Sequence, residues 1–85
     1  MNLYEGALEK WGIDSQLGMT QEECAELIKA INKWHRGIAT DTELIEECID
    51  VELMINQMRE YFKNDMVTWE RIKAEKLARL EFLLK

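Results

Sequence analysis

Two stretches of the chain carry the same acidic pattern. Glu22-Glu23-Cys24-Ala25-Glu26 reappears 24 residues later as Glu46-Glu47-Cys48-Ile49-Asp50, and the match continues at Ile31 and Ile55, the same distance apart. Helical geometry of about 100° per residue puts Glu47 inside an arc bounded by Leu44, Val51, Met54 and Met58. Asp50 follows one turn on, at the margin of that arc. Glu23 and Glu26 take equivalent positions beside Leu27 and Trp34, whereas Glu22 and Glu46 read as surface acids. A carboxylate facing a core is costly unless something neutralises it. Neither stretch has a matching lysine stripe, so a bound cation is the simplest partner. Two antiparallel helices, each with acids at i and i+3, can converge four carboxylates on one point. Hard oxygen ligands of this kind suit Mg²⁺, with Mn²⁺ as a substitute. Acid pairs at this spacing are also common on solvated helix faces. The repeat, and the apolar arc around Glu47, set these pairs apart.

Helices must position them. The spacing predicts a short helix from Leu3 to Trp11, stopped by Gly12, and a second from an Asp14 cap to Arg36, ended by Gly37. Gly18 and Thr20 weaken the second helix's first turns, so its regular part is expected near Thr20. Its core stripe reads Leu17, Cys24, Leu27, Ile28, Ile31 and Trp34. Thr40 with Glu43 has capping-box form and opens a third helix reaching Phe62. That helix's stripe is Leu44, Cys48, Val51, Ile55, Met58 and Phe62. Lys63-Asn64-Asp65 makes a break, and a last helix from Val67 to Leu84 buries Trp69, Ile72, Leu77, Leu80 and Leu84. The expected fold is all-α, an antiparallel bundle of about four helices in a single domain spanning 1–85.

Composition agrees. The 85 residues contain no proline, and all four glycines precede Ile38, so an all-β fold is excluded. At 10.1 kDa an isolated monomer is marginal, and a metal or a partner subunit is expected to complete it. Seventeen acidic side chains against eleven basic ones, a net charge of -6, disfavour a nucleic-acid partner and suit a cation. No signal-like or membrane-length apolar run is present, which leads us to expect a cytoplasmic protein with no membrane partner and reduced cysteines.

At these carboxylates the chain resembles the MazG-like family of all-α nucleoside triphosphate pyrophosphatases, in its short single-domain phage and bacterial form. That family's signature is Glu-x-x-Glu on one helix and Glu-x-x-Asp on the next. Here it reads Glu23-Cys-Ala-Glu26, twenty intervening residues, then Glu47-Cys-Ile-Asp50. The similarity runs from about Trp11 to Phe62. The resemblance implies a bundle completed as a dimer or tetramer. It also implies Mg²⁺-dependent hydrolysis of a (deoxy)nucleoside triphosphate to monophosphate and pyrophosphate. Glu23, Glu26, Glu47 and Asp50 would hold the metal, with Glu23 or Glu26 as general base. Family members often use basic residues and an asparagine near the C-terminal helix to hold phosphates. This chain offers Arg71, Lys73, Lys76 and Arg79 there, and no asparagine between Leu77 and Leu80.

Several further residues are substrate candidates, each with an ordinary alternative. Lys33 and Arg36 could bind phosphate, or sit on a solvated face like Lys73 and Lys76. Gln57, seven residues after Asp50, could bond a metal-bound water or lie on a polar surface. Trp34, like Trp11 and Trp69, could stack on a base or simply pack. His35 reads as a surface side chain, and Met54, Met58 and Tyr61 as core or dimer interface. The rival to an enzyme is a non-catalytic acidic helical module that binds a protein partner through its apolar faces. A di-iron bundle is excluded, because it needs Glu-x-x-His and the sole histidine follows Asn32 at that spacing.

Overall fold

Gly12 both ends the first helix and starts the second. Its φ of +83° is open to glycine and strained for any side chain, and its N–H donates to Leu8 O at the end of α1 (Leu3–Trp11). The chain then turns directly into α2 (Ile13–His35), so Asp14 falls in the first turn instead of capping it. Gly18 and Thr20 do not delay α2 as the sequence suggested. The Thr20 hydroxyl donates to Gln16 O at 2.7 Å, a bond back along the helix that keeps the hydroxyl satisfied within it. The computed structural model covers residues 1–85 and contains four α-helices, one 3-10 turn and no strand.

Gly37, at φ +72°, closes α2 in a Schellman arrangement: Gly37 N–H donates to Trp34 O and Ile38 N–H to Lys33 O. The expected capping box then opens α3 (Asp41–Tyr61). Glu43 N–H donates to Thr40 Oγ1, and Thr40 N–H to Glu43 Oε2, both at 3.1 Å. The loop is short, and α2 and α3 run antiparallel. Trp34 Nε1 donates to Asp41 Oδ1 at the loop end, and Gln16 Nε2 to Gln57 Oε1 at the far end. α1 lies against α3, where Asn56 donates to the Tyr4 hydroxyl and Asn2 to Glu60. Lys63–Asp65 forms the 3-10 turn at the expected break, and α4 (Met66–Leu83) follows.

α4 does not close the bundle. It approaches the 3-10 turn and otherwise stands away from the hairpin, giving a flat molecule of 43 × 41 × 19 Å. The radius of gyration is 15.6 Å, against about 12 Å for a compact chain of this length. The expected core is accordingly only part-formed. Leu27, Leu44, Val51, Met58 and Trp69 are half-buried, while Ile28, Cys48, Leu77, Leu80 and Leu84 are exposed. Four residues are buried: Ala30, Met54, Gln16 and Gln57. The stripes are helical in spacing, as the sequence indicates, but within a single chain they have too few facing side chains to be covered.

The Gln16–Gln57 pair carries a stability prediction. Gln57 Nε2 reaches only Met54 Sδ at 3.7 Å, so the strong bond of the pair is the 2.7 Å one donated by Gln16. Gln16→Leu leaves Gln57 Oε1 buried without a donor and is expected to cost about 1–3 kcal/mol. Gln16→Leu combined with Gln57→Leu should recover most of that loss. Thermal unfolding followed by circular dichroism measures both, and equal losses in the single and double variants would count against this account.

Candidate metal centre

The antiparallel register turns the acidic repeat into a set of facing pairs. Gln16 and Gln57 meet at one end of the hairpin. Two turns onward along α2 and two turns back along α3 lie Glu23 and Asp50; one turn further lie Glu26 and Glu47. Glutamine and acids thus follow the same spacing on both helices when read from the Gln16–Gln57 contact.

Three of the four carboxylates converge. One oxygen each from Glu23, Glu47 and Asp50 lies within 4.8 Å of the others, with Glu23 and Glu47 half-buried and Asp50 exposed. Glu47 Oε2 is buried and has no hydrogen-bond partner. An acceptor in that state forgoes its water without replacement, which favours a cation beside it. Burial raises the proton affinity of Glu23 above that of an ordinary carboxylate, and repulsion from Asp50, Glu47, Glu26 and Glu22 adds to it. The donor set is all oxygen, as Mg²⁺ and Mn²⁺ prefer, and the orphaned Glu47 oxygen fits such an ion.

Glu26 stands outside this group of three. Its carboxylate is about half exposed and lies 3.9 Å from Lys29 Nζ. It lines, with Glu47, a polar cavity of about 260 Å³ that also takes in Lys29, Lys33, Glu43 and Glu46. Lys33 is therefore on the carboxylate side of the molecule. Arg36 caps the C-terminus of α2 and is exposed. The Trp34 indole is tied to Asp41 at 2.8 Å and meets the His35 ring edge-on. Gln57 does not lie on a polar surface: it is buried, and its carbonyl oxygen is engaged by Gln16.

Lys73 and Lys76 belong to a different cavity, between α3 and α4, which shares no residue with the carboxylate group. Arg71 is paired with Glu75 at 3.0 Å, on α4 itself. Sequence reasoning missed Lys29, Glu43 and Glu46 as cavity residues and Gln16 as the partner of Gln57. A signal for Gln16 was present: it precedes Glu23 by the seven residues that separate Asp50 from Gln57.

The chain matches no protein-family model, no curated protein and no solved structure.

The charge cluster predicts a pH dependence. Glu23 binds its proton more tightly folded than unfolded, so its contribution to stability is fully present below the ordinary carboxylate value that it has in the unfolded chain. It is lost as pH rises through the higher folded value. Metal-free protein should therefore have a higher thermal midpoint near pH 5 than at pH 7, and Glu23→Gln should flatten that difference. Added Mg²⁺ should raise the midpoint at pH 7 more than at pH 5. A midpoint that falls on acidification from pH 7 and is indifferent to Mg²⁺ would refute the reading.

Proposed function

We propose that this protein is a Mg²⁺-dependent nucleotide pyrophosphohydrolase, cleaving (deoxy)nucleoside triphosphates to monophosphate and pyrophosphate. The observation that carries the reading is the convergence of Glu23, Glu47 and Asp50, with a buried Glu47 oxygen that has no partner. A cluster of acids alone is nonspecific. Its occurrence on the Glu-x-x-Glu and Glu-x-x-Asp spacing that resembles the MazG-like family gives it a chemistry.

In this reading Glu23 of α2 and Glu47 and Asp50 of α3 would hold Mg²⁺ between the two helices. The ion would supply neutralisation of phosphate charge and activation of the attacking water. Glu26 is free of the group of three, about half exposed and on the same cavity as Glu47, so it accepts the proton of the attacking water. Water adds at the α-phosphorus, the bond to the bridging oxygen of the β-phosphate breaks, and pyrophosphate leaves. Lys33, and Lys29 beside Glu26, offer cationic heads to the phosphate oxygens from the same cavity. Arg36 extends that basic edge toward the loop. Self-association, expected in the cytoplasm as a dimer or tetramer, belongs to the same reading.

A second reading rests on the exposed apolar surface. Twenty-two large apolar residues are exposed, among them Ile28 at 68% and Phe82 at 72%. A non-catalytic helical module that docks on a protein partner would present such a surface as well.

Product analysis separates the two. Purified protein with a panel of ribo- and deoxynucleoside triphosphates and Mg²⁺ should release monophosphate and pyrophosphate, and EDTA should abolish this. Glu47→Gln should lower turnover by about 100-fold or more, as expected when a metal site is disrupted. It should also weaken Mg²⁺ binding measured by calorimetry. Release of orthophosphate and diphosphate would mean cleavage at another bond. Folded protein that is silent across the panel, with no Mg²⁺ binding, would favour the interaction module.

A further inference from the structure

We propose that the groove between α3 and α4 is a docking site for an acidic amphipathic helix of another protein, whose apolar side chains rest on the groove floor while its carboxylates meet Lys73 and Lys76. The groove shares no residue with the carboxylate group, so the docking stands whichever reading of that group holds. It encloses about 690 Å³ over a floor of Ile55, Trp69, Ile72, Leu77 and Leu80. The Arg59–Glu70 ion pair, at 2.8 Å, ties α3 to α4 at the elbow end. Away from the elbow, Leu77 and Leu80 are each more than half exposed, and Leu83 and Leu84 continue the apolar surface to the end of α4. From Trp69 to Leu84 that stripe measures about 22 Å, or about four helical turns. A small molecule would cover only a fraction of it. A helix laid along α4 covers the whole stripe, with apolar anchors repeating every three or four residues.

The two lysines select an acidic occupant. At about 100° per residue, Lys73 and Lys76 fall inside the arc of α4 bounded by Ile72 and Leu77, which also holds Trp69 and Leu80. Both line the groove, and neither has an ion pair within the chain. Lysines that only solvate a helix lie opposite its apolar stripe. These two lie within it, where any occupant strips water from their ammonium groups. Such an occupant must bring carboxylates to offset that loss. A second copy of α4 would bring the same two lysines against them, and a neutral helix would leave them unpaired. Although the whole chain carries a net charge of -6, residues 66–85 carry five basic and three acidic side chains. The Debye length is about 8 Å at physiological salt, so a segment lying on α4 responds mainly to that local excess. Acids three or four residues apart on the incoming helix match the spacing of the lysines.

Fluorescence anisotropy tests this on the intact chain. The probes are labelled helical peptides about four turns long, with leucines along one face and glutamates beside them in several registers. A matched set carries lysine in place of every glutamate. At least one acidic peptide should bind with a micromolar or lower dissociation constant, about tenfold or more tighter than its lysine counterpart. Leu77→Glu should weaken that binding by about tenfold or more, through loss of an apolar contact and repulsion of the acidic peptide. Lys73→Glu combined with Lys76→Glu should invert the preference, so that the lysine peptides bind the more tightly. Both lysines are exposed, so this double variant is expected to keep its helical circular dichroism and keeps the test decisive even if Leu77→Glu unfolds. Failure of the whole acidic set to bind overturns the proposal. So does equal binding of the two sets, or a preference that survives the charge reversal. Light scattering that shows a dimer dissociated by Leu77→Glu also overturns it, since a copy of this chain would then fill the groove.

Discussion

The register of the α2–α3 hairpin is the constraint on which the rest of the molecule depends. It is held at the loop end by the Trp34–Asp41 bond and the Thr40–Glu43 capping box, and at the open end by the buried Gln16–Gln57 pair. The two ends agree on one alignment, and that alignment brings Glu23 and Glu47 together with Asp50. A buried amide pair is well suited to fixing a register. A helix slipped by one turn would strand both glutamines in an apolar setting, whereas leucines at the same places would tolerate the slip. Specificity of alignment thus comes from polar groups, and the apolar contacts around them supply most of the attraction.

Both the carboxylate group and the splayed α4 leave the isolated chain short of stability. Burial, with repulsion among like charges held within 4.8 Å added to it, raises the proton affinity of Glu23. On the other side of α3, apolar side chains that elsewhere would form a core stay in water. Only two of the four buried residues, Ala30 and Met54, are apolar. Any ligand that bound only the folded state and met either shortfall would add stability by mass action.

Much of this was legible in the amino-acid sequence. The absence of proline, the placement of the four glycines and the Thr40–Glu43 spacing identify four helices with ends close to those observed, except that α2 is regular from Ile13 and not only from near Thr20. Spacing alone also singled out Glu23, Glu26, Glu47 and Asp50, since side chains three apart share a helix face. The burial of the apolar stripes was not legible. Periodicity reports which face of a helix is apolar, and is silent on whether a partner in the same chain covers it. For α4 the stripe was correct, yet Leu77, Leu80 and Leu84 remain exposed.

What the sequence determined by itself was therefore local: helix limits, the caps at Gly12, Gly37 and Thr40, and the faces on which the acids lie. Backbone conformational preference and side-chain spacing act over a few residues, and these features need nothing more. Tertiary structure decided which acids meet. Glu26 shares its face with Glu23, but only Glu23 joins Glu47 and Asp50, because the facing helix sets where oxygens converge. It also decided that Gln16 and Gln57, 41 positions apart, satisfy one another in the interior. The net charge of -6 had been a bulk property of the composition. In the folded chain part of it is concentrated at one point between two helices, where the hairpin register holds like charges that an unfolded chain would keep apart.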